Sequence, residues 1–406
     1  MATQTSTTEA SKAPSISLPS DFEIHGVTNK LLSQPITTAP TSLLILDSFK
    51  GNFTGQGFNT IFRPHNRVSK TDFPKTPQGP DDNILELNLT TETLVFTKPL
   101  GSVPNRGLSD QGDIFLNGKS YIQTIQDVTN PKTGKADGPS TEIHFEPGLW
   151  MHVPASTNNP KQIETLNRMA SIPHGTTINA QGVAPAGPTP GPPKIGVAKI
   201  TPFQIGNPSS TVPPGTFPSQ TVDRNDTFRI PQDLAQFKKE QTITQPILDD
   251  PNTVLRNANI GKSINKTTTF KIFTNPQQPQ LGGGTANIDF LMGGAAPQTP
   301  NAHASQMEAT FWVSEVSHKI TVPPHTLGQG PLVIAAPSPS PGVQAPSFKV
   351  NPPKAITADT TITVTSTQIQ YSQTVLLDFA GLSWPHVSVA TLIPQEEIEV
   401  PQSVFP

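Results

Sequence analysis

His386 stands in the stretch SWPHVSVATLIP, directly after Pro385 and at the start of an alternating run. Along that run His386, Ser388, Ala390 and Leu392 fall on one face of an extended chain, and Val387, Val389, Thr391 and Ile393 on the other. Imidazole is both a common metal ligand and a group that titrates near neutral pH. At the start of a strand it reads as a surface accident, as a core histidine bonded to a backbone carbonyl, or as the ligand of something held inside a barrel. His144 and Glu146 are two apart in EIHFEPGLWMHV, which on a strand puts both on one face. A carboxylate there orients an imidazole, or the two form a polar cross-strand pair at a solvated edge. His174, between Pro173 and Gly175, sits in a turn context, at a pocket mouth or simply exposed.

A metal-enzyme alternative uses some of the same residues. The spacing Gly138, His144, Glu146 echoes the first cupin motif, with Glu146 in place of its second histidine. With His152 it offers a two-histidine, one-carboxylate set for non-haem iron or manganese. Trp150 and Met151 occupy the place of that motif's glutamate. A third class needs no metal: a lipocalin-type barrel that binds or cyclises a hydrophobic metabolite, with Tyr371 and Gln373 as polar groups in an apolar lining. There is no Gly-x-Ser-x-Gly elbow, Walker loop or His-Glu-x-x-His helix, and GNFTGQG leads into a strand without a lysine.

Short strands must position these residues. With 46 prolines and 29 glycines, the chain is kept from long helices and predicts strands joined by long loops. ILELNL sets Leu85, Leu87 and Leu89 on one face, with TLVF following after a turn. Asn117-Gly118 predicts a hairpin turn inside DIFLNGKSYIQTI, and Pro147-Gly148 a turn between EIHF and LWMHV. QMEATFWV points Met307, Ala309, Phe311 and Val313 inward. In TITVTSTQIQYSQTVLLDFAG, Ile369, Tyr371, Gln373, Val375, Leu377 and Phe379 share a face. Helices are expected only at DDPNTVLRNANIG, with Asp250 as N-cap, Pro251 opening it and Gly261 stopping it, and at PQDLAQFKKEQ. GGG at 282–284 reads as a tight loop before the strand-like ANIDFLMGG.

The predicted organisation is a disordered tail over 1–20 followed by one mostly-β barrel domain over 21–406. Its strands come from 45–182 and 264–394, with inserts at 183–263 and 323–355, proline-rich near 183–196 and 337–347. Charged residues make up 14 % of the chain and the net charge is −3, which gives no electrostatic footprint for nucleic acid. The absence of cysteine excludes disulfides, thiolate metal sites and cysteine nucleophiles. The N-terminal stretch lacks the basic and apolar regions of a secretory signal, and no run is long enough to span a bilayer as a helix. The expectation is a cytoplasmic protein; the oligomeric state is left open.

Three blocks carry a resemblance. SFKGNFTGQGFNTIFRP, with Phe53 after Gly51, is similar to the opening strand of calycin-type barrels. EIHFEPGLWMHVP resembles the central His-x-Glu-x-Gly segment of nitrobindin-like haem-binding barrels, and His386 matches the placement of their axial ligand. Together with ASIPHGTTINAQG and FAGLSWPHVSVATL, these look like a group of bacterial haem-binding proteins. The matching blocks cover about 49–182 and 285–394, and the long inserts have no counterpart in the short nitrobindin barrel. The resemblance implies a calycin-like antiparallel barrel holding haem b or a similar flat ligand, with peroxidase- or peroxynitrite-isomerase-type chemistry. It implies His386 as iron ligand, Trp384 and Phe379 as wall, and His144 with Glu146 as the distal, reacting side. His174 and Tyr371 would line the cofactor site, and Arg63, Arg106 and Arg168 become candidates to meet the propionates.

Overall fold

The computed structural model describes residues 41–66, 68–80, 82–157, 161–210, 216–276, 281–286, 301–338 and 343–405. The tail expected over 1–20, most of ANIDFLMGG and the middle of the 337–347 stretch lie outside the described residues.

Ten strands among the described residues alternate inward and outward side chains and close into an antiparallel barrel. They are β1 (Asn52–Arg63), β2 (Ile84–Phe96), β3 (Ile114–Asp127), β4 (Thr141–Val153) and β5 (Thr165–Ser171), then β6 (Thr177–Val183), β7 (Ser263–Phe273), β8 (His303–Val322), β9 (Thr360–Phe379) and β10 (Leu382–Pro394). The order around the ring is β2-β1-β10-β9-β8-β7-β6-β5-β4-β3. Pairing of β3 back onto β2, from Thr90–Asp127 to Phe96–Tyr121, closes it. The chain is therefore mostly β, and its barrel strands lie at 52–183 and 263–394.

One end of the barrel is plugged. A 3-10 turn, Leu44–Ser48, buries Leu46, with Phe49 beside it. Phe49 stacks on Phe96 at 4.8 Å and meets Trp150 edge-on at 5.8 Å. Each such side chain removed from water contributes roughly 1.5–3 kcal/mol. The buried Lys119 donates from Nζ to the Phe49 carbonyl at 2.6 Å, tying β3 to the plug. Above it Phe270, Phe311 and Trp150 form an aromatic layer, and Met307, Ala309 and Val313 point inward as the alternation of β8 predicts.

The outer wall carries a second core. Leu85, Leu87 and Leu89 share a face, but that face points outward, under Phe237, Leu248 and Leu255 of the helices α1 (Ala235–Lys239), α2 (Gln245–Asp249) and α3 (Asn252–Ala258). The Asp250 carboxylate accepts the Asn252 N–H at 3.1 Å at the start of α3, and Gly261 follows its end at φ +78°. With the leucines outside, alternation turns Glu86, Asn88 and Glu92 inward, so β2 gives the barrel interior polar side chains. The long hairpin β8–β9 ends in a third core with Phe348 and Val350 of a small three-stranded sheet.

Three expected turns are absent. TLVF continues ILELNL without a break as β2. Asn117-Gly118 lies within β3, where Gly118 faces Met151 and a Cβ would fall on the Trp150 carbonyl. Pro147-Gly148 lies within β4, where the Tyr121 ring covers the Cα of Gly148. Both glycines serve close approach across the wall. Pro147 sits one residue before pairing with β5 begins at Gly148–Ala170, where a strand with one neighbour accommodates the missing N–H.

Candidate functional site

Above the aromatic layer the interior divides into a sealed polar layer and an open cavity. Arg168 on β5 is 3 % exposed and pairs with Glu146 on β4, which is 0 % exposed, through Nη2–Oε1 at 2.5 Å. Its Nε donates to the Tyr121 hydroxyl at 2.7 Å, Nη1 to Gln373 Oε1 at 2.7 Å, and Nη2 also to Gln123 Oε1 at 3.2 Å. Tyr121 donates to the same carboxylate. Burial alone would push Glu146 up; the Arg168 charge, then His144 and Tyr121, outweigh it and bring it to about 2. Arg168 is therefore committed inside the wall. This departs from its expected role as a propionate partner: the guanidinium is paired with Glu146, bonds Tyr121, Gln123 and Gln373, and is not among the residues lining the cavity. Arg106 pairs with Asp113 at the surface at 2.5 Å, and of these three arginines Arg63, paired with Glu86, is the one that lines the cavity.

A register shift positions the next residue. Ile125 faces His144 while Gln126 faces Glu142, so Ile143 is an extra residue in β4. A bulge re-aims side chains, and here Ile143 and His144 both line the cavity. His144 Nε2 lies 3.1 Å from Glu146 Oε2. The carboxylate can only accept, so it holds His144 as a donor through Nε2. His174, in the exposed turn between β5 and β6, meets the His144 ring edge-on at 5.1 Å. Burial first, then the neighbouring His144, lowers its pKa.

His386 completes the constellation from β10. Its ring is partly exposed to the cavity, and Nε2 lies 2.8 Å from Asn59 Nδ2. That amide nitrogen also donates to Ser388 Oγ at 2.8 Å. Burial, then the imidazoles of His144 and His174, pushes His386 down to about 3, so it is a neutral imidazole. The cavity of about 360 Å³ is bounded by these three histidines, by Ile61, Ile178, Met307 and Val375, and by Tyr371 and Gln373. That is within the range of small-molecule sites.

Trp384 is the clear departure among the expected wall residues. It stacks on Phe379 at 4.9 Å and packs behind Phe62 at 5.0 Å in the outer core, and does not itself line the cavity. The two rings sit where β9 ends and β10 begins, in the outer core, so alternation from Gln373 along β9 and from His386 along β10 misplaces them. His152 is equally remote from the site: buried near the plug, it bonds the Ser42 carbonyl at 2.6 Å and Glu164 at 3.0 Å. Among the described residues no group of three or more His, Asp or Glu side chains is arranged to hold a metal ion.

The residues that sequence reasoning passed over are Asn59, Glu92, Gln123 and Tyr121. Glu92 is 2 % exposed, and both its oxygens lie 2.8 Å from the Tyr371 hydroxyl. Burial raises it to about 7, against the opposing hydrogen bonds of Tyr371 and Gln123. Its signal was the polar alternation of β2, legible only once the leucines are known to face out. Compared with protein-family models, with curated proteins and with solved structures, the chain matches none.

Proposed function

We propose that the barrel binds a flat, largely apolar small molecule between His144, His174 and His386, with haem b as the first candidate and His386 as the side chain that would hold its iron. The carrying observation is a neutral imidazole fixed on a β-strand at the wall of a mainly apolar cavity. Iron ligation needs a neutral imidazole nitrogen. His386 Nε2 now accepts one neutral hydrogen bond from Asn59. Such a bond has a net worth of about 1 kcal/mol, small beside a metal–nitrogen bond. Bound haem would supply peroxide- or peroxynitrite-type redox chemistry, and His144, oriented by Glu146, would position the small reactant.

A metal-free reading has its own support. His386 Nε2 already has a partner, and Asn59, Ser388, Tyr371 and Gln373 suit an organic ligand with a few polar atoms. Haem added to the full chain separates the two. The haem reading expects a Soret band that His386→Ala removes, while His144→Ala keeps the band and changes peroxide kinetics. A wild type without any band leaves the metal-free binder.

A further inference from the structure

Tyr371 is the cavity-lining group whose hydrogen-bond sense is set from behind. Its hydroxyl meets three atoms: both oxygens of Glu92, at 2.8 Å each, and Gln123 Nε2, at 3.0 Å. The Gln123 amide cannot reverse, because its oxygen accepts from Arg168 Nη2 at 3.2 Å while its nitrogen also donates to Glu92 at 3.1 Å. Gln123 therefore always donates to the tyrosine oxygen. A phenol has one proton and two lone pairs, so one lone pair is spent on Gln123. What remains depends on Glu92.

With Glu92 ionised, the carboxylate can only accept. Tyr371 gives it the phenolic proton, and the second lone pair is left to face the cavity as an acceptor. With Glu92 protonated, the oxygen not held by Gln123 carries the O–H and donates into that second lone pair, and the phenolic proton, no longer drawn to a carboxylate charge, is released toward the cavity. We propose that Glu92 sets the donor or acceptor sense of Tyr371 toward the cavity, so that the protonated site takes a ligand with a carbonyl-type acceptor and the ionised site takes one with an N–H or O–H donor. The inference rests on the cavity being a small-molecule site and holds with or without iron.

The surroundings allow Glu92 to change state at ordinary pH. It is enclosed by the wall, and burial brings it to about 7. The charged groups facing it are Arg168 from β5 and Glu146 from β4, which neutralise one another as a pair. Burial also holds Tyr371 itself well above its usual value, so the phenol keeps its proton throughout.

Fluorenone and carbazole test this. They are flat tricycles of nearly equal shape, one carrying only a carbonyl acceptor and the other only an N–H donor. Their affinity ratio for the full chain cancels pH effects common to both, such as those of His174 at the mouth. The ratio should shift from fluorenone toward carbazole by roughly tenfold or more between pH 6 and pH 8. Glu92→Gln, whose amide N–H donates to Tyr371 at every pH, should hold the ratio at its acid value. Tyr371→Phe should give a ratio independent of pH. A wild-type ratio that does not change with pH, or a Glu92→Gln variant that follows wild type, overturns the proposal while leaving the cavity as a binding site. Failure of both tricycles to bind overturns the cavity reading and this inference with it.

Discussion

Asn59 Nδ2 lies 2.8 Å from His386 Nε2 across 327 residues of sequence, because β1 and β10 are neighbours with Asn59 opposite Ser388. A carboxamide nitrogen only donates, so the contact requires a lone pair on Nε2 and fixes the neutral tautomer with its proton on Nδ1. The same strand pair thus sets position, charge state and tautomer of the histidine on which the functional reading turns.

Gly148 is predicted to be a packing glycine. A Cβ there falls on the Tyr121 ring and hydroxyl, and no unusual backbone angle is involved. Gly148→Ala should cost roughly 1–3 kcal/mol, as overpacked sites do, read as a lowered midpoint in urea. Gly196→Ala, where nothing lies within 4 Å, should leave the midpoint nearly unchanged. Equal effects at both positions would refute the close-approach explanation.

Arg168 and Glu146 form a buried pair, and removing one partner strands the other. Arg168→Met should destabilise the barrel by roughly 3–5 kcal/mol. The double variant Arg168→Met with Glu146→Gln should recover much of that loss, since neither charge remains. Denaturant unfolding of the wild type, Arg168→Met, Glu146→Gln and the double variant decides it; a double variant as unstable as the sum of the single ones would contradict the pairing account.

Glu92 has its folded pKa raised to about 7, above the ~4.3 of an unfolded chain. Its contribution to stability is complete below the unfolded value and is lost as pH rises through the folded one. Relative to wild type, Glu92→Gln should therefore gain stability between about pH 4.5 and pH 7 and hold that gain above it. A shift of two to three pKa units sets an upper bound of about 4 kcal/mol. A wild-type-minus-variant difference that is flat across this window would place the titration elsewhere.

Alternation made the inward sets of QMEATFWV and of the His386 strand legible, since period two on a long strand leaves little choice once one residue is placed. The same rule could not say which side of β2 was dry. Leu85, Leu87 and Leu89 face outward because α1, α2 and α3, folded from the insert, cover them, and that is a tertiary fact. Asn117-Gly118 and Pro147-Gly148 carry real turn chemistry, yet both lie mid-strand because neighbouring residues across the wall need the absent side chain. His144 and Glu146 were readable as an oriented pair from spacing alone. The bulge that turns His144 and Ile143 together into the cavity was not, since the extra residue shows only against its partner strand. Glu92 and Asn59 were hidden for the same reason: their meaning lies in what Tyr371 and His386 bring to them.

Chemical rescue at His386 tests the central claim most directly. His386→Gly removes the imidazole and leaves room beside Asn59 and Ser388. The full-length variant, mixed with one equivalent of haem, should lack the visible spectrum of a single-imidazole complex formed by wild type. Adding free imidazole should restore that spectrum with saturation, at one haem per chain. A His386→Gly variant whose haem spectrum matches wild type before imidazole is added would contradict the assignment of His386 as the ligand.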